Sequence, residues 1–222
     1  MRIAAVADIH CPRYLIEFIT ELKRIKKPDV FLLAGDMIEA GRFHEYQQIA
    51  EAINDRFGSQ ISIVACFGND EQGTDKQSIR KVVKDRIRFL DGDSCEIHGL
   101  SESLGIFGVP MFDAAKNNEK STIQDIMDKR IKTMHDEVLE LLTKCDWTVL
   151  LMHYSPLSTD SYPESLIWWI SEALENTPPN WIVHGHIHYA TNPEIQIGPT
   201  RIMNVAFPAT RKITEIELGK TI

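Results

Sequence analysis

Asp, His and Asn recur in this sequence immediately after short apolar runs. Residues 4–7 (Ala-Ala-Val-Ala) lead into Asp8-Ile9-His10, and residues 31–34 (Phe-Leu-Leu-Ala) into Gly35-Asp36. Residues 64–67 precede Gly68-Asn69-Asp70, residues 149–152 precede His153, and residues 181–183 precede His184-Gly185-His186-Ile187-His188. This mixture of carboxylate, imidazole and amide oxygen suits borderline divalent ions such as Mn²⁺, Fe or Zn²⁺, in contrast to a soft thiolate set. Asp8 and His10, like His186 and His188, stand two residues apart, so on an extended segment both members project to one side. Taken singly, each block has a plainer explanation. An Asp after a strand commonly caps the next helix, and a lone His153 would pass for a hydrogen-bonded core residue. Their joint occurrence at successive run ends points to a metal site.

The apolar runs read as strands over 3–7, 30–34, 61–67, 104–109, 148–152 and 181–184. Between the first two, Leu15, Phe18, Ile19, Leu22 and Ile25 repeat at helical spacing within 14–26. Residues 45–57 and 164–174 read as further helices. Strands alternating with helices predict an α/β fold. Open sheets of that class bind ligands in the crevice at the carboxyl ends of their strands, where all the blocks lie. Glycine before Asp36, Asn69 and His186 permits a sharp turn and close backbone approach. After Asn192, runs at 195–197, 202–206 and 213–218 predict a terminal antiparallel sheet. Residues 113–144 read as a long amphipathic helix carrying Ile123, Ile126, Met127, Ile131, Met134, Val138, Leu141 and Leu142 on one face. It would either pack on the core or form a cap over the site.

The 222 residues are 43% hydrophobic and 25% charged, with a mean hydropathy of -0.19. That is ordinary for one globular domain over 1–222. No run approaches the length needed to cross a bilayer. The chain enters a β-like run at once, with no signal-peptide cleavage region, so a cytoplasmic location is expected. The net charge of -8, from 24 basic and 32 acidic residues, disfavours long nucleic acid as a partner. Bound cations would nevertheless reverse the local field. Cys11, Cys66, Cys95 and Cys145 show no C-x-x-C pairing, which fits reduced thiols.

The blocks Asp8-x-His10, Gly35-Asp36, Gly68-Asn69, His153 and Gly185-His186-x-His188 resemble the five signature blocks of the calcineurin-like metallophosphoesterase superfamily. The resemblance runs from the first strand to about Asn192, and the size is similar to small single-domain prokaryotic members. It implies a four-layer α/β/β/α sandwich with two mixed β-sheets. It also implies two divalent ions: one on Asp8, His10, Asp36 and His188, the other on Asp36, Asn69, His153 and His186. Mn²⁺ is the expected ion, with Fe, Zn²⁺, Ni²⁺ and Mg²⁺ as alternatives. The implied activity is hydrolysis of a phosphomonoester or phosphodiester by a hydroxide bridging the ions. A nuclease of the same superfamily and a non-catalytic scaffold on this fold are the rivals.

One block departs from that pattern. Many members carry His after the Asn of the third block, where it is thought to protonate the leaving oxygen; here Asp70 stands there. An ionised carboxylate is a poor proton donor. Asp70 is therefore left as an orienting group or as an acid in its own right, with water or the substrate as the other sources of the proton. His44, shortly after Asp36, is a second candidate acid. His184, His98, His135 and Cys11 read as core or surface residues. Arg13, Arg201 and Arg211 are positive but unselected by spacing. Trp168-Trp169 would place one ring inward and the other at a self-association surface, making a homo-oligomer conceivable. The expected partner is a small phosphate ester.

Overall fold

The computed structural model describes residues 1–72, 76–99, 101–110, 132, 135–156, 178–189 and 191–219. Strand β1 (Arg2–Val6) is apolar from Ile3 onward because both of its faces are covered there. Ile3, Ala5 and Ala7 face one core, while Ala4 and Val6 face another. The same holds for β2 (Val30–Ala34), every residue of which is buried, and for β3 (Ser62–Cys66). Continuous apolar runs of this kind mark parallel strands covered on both sides.

The helices on this side take their lengths from their buried spacing. Helix α1 (Leu15–Leu22) buries Phe18 and Leu22. Helix α2 (Tyr46–Phe57) buries Tyr46, Ile49, Ala50, Ile53 and Phe57. A short turn of helix, α3 (Asn69–Gln72), follows β3, and α4 (Lys76–Val83) buries Ile79 and Val83. Strand β4 (Arg88–Phe89) closes that half.

The second half holds β5 (Ser94–His98), β6 (Ser103–Gly108), the helix α5 over 135–144, β7 (Trp147–Leu151) and β8 (Trp181–His184). It ends with β9 (Glu194–Ile197), β10 (Thr200–Asn204), the short α6 (Phe207–Thr210) and β11 (Thr214–Glu217).

One sheet has the order β11-β1-β2-β3-β4 and the other β5-β6-β7-β8-β10-β9. The inner strands run parallel; β11, β5 and β9 pair antiparallel with β1, β6 and β10. Between the sheets lie Ile3, Leu32, Val64, Leu104, Ile106, Val149, Val183 and Met203. Helices α1, α2 and α4 cover the far side of the first sheet. Val138 and Leu141 of α5 pack on Phe107, Leu150 and Ile182 of the second. The result is the expected α/β/β/α sandwich.

The terminal strands meet the expectation of a terminal antiparallel sheet in part: β9 and β10 pair antiparallel, but within the second sheet. β10 joins β8 in parallel, while β11 returns to the edge of β1. Each completes an existing sheet, since an open edge offers unpaired backbone groups to whatever strand follows. Of the predicted helix over 113–144, residues 113–131 and 133–134 lie outside the described residues, as do the predicted helix 164–174 and Trp168-Trp169. Among the described residues, no helix is long and apolar enough to cross a membrane.

Candidate metal centre

Strand register sets the positions of the predicted ligands. Val6 pairs with Leu33, and Ala34 with Cys66, so β1, β2 and β3 end side by side. Asp8, Asp36 and Asn69 therefore follow at one edge. In the other sheet, Leu151 pairs with Val183 and His184 with Asn204, bringing His153 and the His186–His188 segment to the matching edge. Backbone bonds then tie the loops together. Asp8 N–H donates to Gly35 O and His10 N–H to Asp36 O, both at 3.0 Å, and Gly185 N–H donates to His153 O at 3.0 Å.

This closeness demands glycine, at Gly68 and Gly185 among others. A Cβ at Gly68 would collide with the Asp36 carboxylate and backbone, and one at Gly185 with Asp8 Oδ2 and Ala7 Cβ. Four of the predicted ligands themselves sit in left-handed backbone: Asp8 at φ 59°, His10 at 43°, Asp36 at 51° and His186 at 68°. Each such residue costs on the order of 1–3 kcal/mol and persists only where its surroundings over-determine it.

Two ligand groups are built from the predicted ligands alone, Asp8 with His10 and His188, and Asp36 with His153 and His186, and a third sets Asp70 beside His10 and Asp36; in each, the candidate ligand atoms lie within 4.8 Å of one another. Asp8, His10, Asp36 and His153 form a buried floor, and Asn69, Asp70, His186 and His188 a partly exposed mouth. Each carboxylate divides its oxygens between backbone and pocket. Asp8 Oδ2 accepts the His186 N–H at 2.9 Å, while Oδ1 lies 3.0 Å from His188 Nε2. Asp36 Oδ1 accepts the Asp70 N–H at 2.8 Å, while Oδ2 lies 3.3 Å from His153 Nε2.

The donor chemistry fits cations in both groups. His153 Nδ1 donates to Ala34 O at 2.9 Å. Its Nε2 faces Asn69 Oδ1 at 3.0 Å as well as Asp36 Oδ2. Asn69 is oriented by its own Nδ2, which donates to Asp70 Oδ1 at 3.1 Å. Nε2 and two oxygen acceptors facing one another at these distances call for positive charge between them, either a proton on Nε2 or a metal ion. Burial alone would push the His153 imidazolium down; the hydrogen bond and charge of Asp36 outweigh it and raise His153 to about 9. Asp36 is held below the usual carboxylate range: burial opposes this, but His153 prevails. Burial and the neighbouring charge of His153 push His186 down to about 4, so it is neutral and able to ligate. In the other group, His10 Nε2 and His188 Nε2 face each other at 3.4 Å beside Asp8.

One residue of the site goes unsingled in the sequence. Glu71 is completely buried beneath the loops. Its carboxylate accepts N–H groups from Gly68 at 2.6 Å, Met37 at 2.8 Å and Asp36 at 3.1 Å, stapling the second block to the third. Burial first, then the charge of Asp36, push it up to about 7.

The remaining candidates separate cleanly. Asp70 joins the cluster, with Oδ2 3.1 Å from His10 Nδ1. His44 is exposed on the 3-10 turn Phe43–Glu45, lies against the Phe43 ring and belongs to none of the three ligand groups. His184 is buried with Nδ1 on Gly185 O at 2.9 Å, and Cys11 is a buried thiol pushed up to about 11, chiefly by burial. His98 is exposed on β5 and His135 half-buried on α5. Arg13 pairs with Glu39, Arg201 pairs with Glu194, and Arg211 lies over the Tyr14 ring.

The chain belongs to the calcineurin-like phosphoesterase family, whose family model matches residues 1–190. Membership carries with it metal-dependent hydrolysis of phosphate esters as the class of activity and divalent ions as the implied cofactors. No curated protein matches the sequence. Among solved structures, GAP50, described as the anchor in the inner membrane complex of Plasmodium, is similar at a TM-score of 0.66 and 10% identity, over 94% of this chain and 72% of that one. The protein TT1561 of Thermus thermophilus is similar at a TM-score of 0.62 and 11% identity, over 96% and 97% of the two chains. A putative 5'-nucleotidase from Staphylococcus aureus, solved with alpha-ketoglutarate, is similar at 0.61 and 13%, over 96% of this chain but 50% of that one. At such identities the likeness is one of fold.

Proposed function

We propose that this chain hydrolyses a small phosphomonoester or phosphodiester with two divalent ions, Mn²⁺ foremost. One ion is assigned to Asp8, His10, Asp36 and His188, and the other to Asp36, Asn69, His153 and His186. The observation that carries this reading is the pair of adjacent Asp/His groups built by the loop ends of both sheets. When bound, such ions supply Lewis-acid neutralisation of the phosphoryl oxygens and acidify water. The protein's part is to fix the donors beforehand. Asp8 and Asp36 bring negative charge to a buried floor, His153 is aimed by its bond to Ala34 O, and His186 is kept neutral. The left-handed ligand backbone and the Glu71 staple hold these groups in place, which favours electrostatic stabilisation without reorganisation at the moment of reaction.

The fold itself does not decide for catalysis, since one similar structure is described as an anchor; the intact donor set is what favours an enzyme. The test is a screen of p-nitrophenyl phosphate and bis-p-nitrophenyl phosphate with Mn²⁺, Ni²⁺, Mg²⁺ and Zn²⁺, alongside elemental analysis. Activity is expected to vanish on chelation and to return with Mn²⁺. A chain that takes up no ion and hydrolyses neither ester would retire the reading.

Ion uptake is expected to depend on pH with a definite sign. His153, raised to about 9, holds a proton at neutral pH when no metal is bound, and an imidazole must be unprotonated to ligate. Affinity for the ion at His153 should therefore tighten as pH rises from 7 toward 9, with release of a proton. Calorimetry at one pH in buffers of different ionisation enthalpy reads that proton directly, and buffer-independent heats would contradict it.

A further inference from the structure

We infer that Asp70, which stands where many family members carry a histidine, is a positioning residue that fixes His10 for one of the two ions and is not the proton donor to the leaving group. The inference rests on the metal reading above. Asp70 Oδ2 lies 3.1 Å from His10 Nδ1. The other ring nitrogen, His10 Nε2, points into the first ligand group, 3.8 Å from Asp8 Oδ1 and 3.4 Å from His188 Nε2. A carboxylate oxygen facing a ring nitrogen at that distance accepts its hydrogen, so Nδ1 donates and Nε2 keeps its lone pair for an ion. Carboxylate, imidazole and metal in line is the arrangement that selects a ligand tautomer and raises its basicity.

Asp70 is itself held from two further directions. Its Oδ1 accepts from Asn69 Nδ2 at 3.1 Å, and its backbone N–H donates to Asp36 Oδ1 at 2.8 Å. One residue thus braces a ligand of each group, and its side chain meets the ligating ring of His10. A carboxylate committed to the imidazole in this way is unsuited to handing a proton to a departing alkoxide. In this chain that proton is left to water or to the substrate, which favours esters with good leaving groups.

The test compares the unaltered protein with Asp70→Ala and Asp70→Asn by Mn²⁺ titration calorimetry and by hydrolysis of aryl phosphates of graded leaving-group pKa. The backbone bond to Asp36 survives both substitutions. In Asp70→Ala, one of the two Mn²⁺ ions is expected to weaken by about 10–100-fold, the usual cost of removing a ligand's orienting partner, with the second little changed. Asp70→Asn, whose amide oxygen still accepts from Nδ1, should recover much of that loss. The fall in turnover should be the same for every leaving group. Unchanged affinity of both ions in Asp70→Ala would overturn the assignment, as would a loss of turnover that grows with leaving-group pKa. So would a third Mn²⁺ present in the unaltered protein and missing from the variant, which would make Asp70 a ligand in its own right. Failure of the unaltered protein to bind any Mn²⁺ would instead remove the metal reading on which the assignment stands.

Discussion

Asp36→Asn is expected to abolish turnover, by at least about 100-fold and beyond what loss of a ligand's orienting partner costs, and to weaken both ions together. The reasoning starts from how the carboxylate is divided. Oδ1 is committed to the Asp70 N–H at 2.8 Å, so an asparagine would keep its oxygen there and turn its NH₂ toward His153 Nε2, where Oδ2 now lies at 3.3 Å. A donor would then point into a pocket built for a cation. The buried floor would also lose one negative charge, and His153 the partner that sustains its raised pKa. Since the amide is nearly isosteric, the fold should survive. Elemental analysis and Mn²⁺-supported hydrolysis of bis-p-nitrophenyl phosphate check the result, and near-normal activity with two ions retained would remove Asp36 from its shared role.

Glu71→Ala should produce the largest loss of stability. Three N–H donors, from Gly68, Met37 and Asp36, converge on a carboxylate with no solvent exposure. Removing it strands all three in a dry interior, at about 1–3 kcal/mol each. Even the lower bound, about 3 kcal/mol in all, corresponds to a fall in Tm of roughly 6–12 °C for a chain of this size. Because the stranded groups belong to the loops bearing Asp36 and Asn69, metal affinity should fall as well. Glu71→Gln keeps one oxygen acceptor and should lose less. Urea unfolding monitored by circular dichroism gives the comparison, and equal stability of Glu71→Ala and the unaltered chain would show that water replaces the carboxylate.

Glu71 also marks the boundary of what a sequence can disclose. The metal-ligand blocks are legible because each follows an apolar run, and parallel strands buried on both faces announce themselves as such runs. Strand ends in one fold class share an edge, so Asp8, Asp36, Asn69, His153 and His188 could be assigned to one crevice before any coordinates. Glu71 gives no such signal. It follows Asp70 in a polar stretch, and two of its three partners, Asp36 and Met37, are backbone groups more than thirty positions away. A side chain bonding only to backbone leaves no complementary residue to find. Strands β4 and β5 were illegible for a related reason. Phe89 and Cys95 are buried, yet their strands sit at sheet edges, where alternation is short and mixed with charge. The terminal strands were legible as strands but not as partners, because pairing depends on which sheet edges are open when the chain returns. Nearness in sequence is the sole ground for His44, which stands exposed on the 3-10 turn after Asp36.

The positive φ angles at Asp8, His10, Asp36 and His186 set folding and chemistry against each other at single positions. Glycine adopts that backbone without a Cβ penalty, so any selection for thermal robustness alone would drift toward glycine at these four sites and strip the pocket of its donors. A thermostabilised version of this chain therefore has to leave them untouched and gather its gains elsewhere, on the outer helices and the exposed edge strand β9.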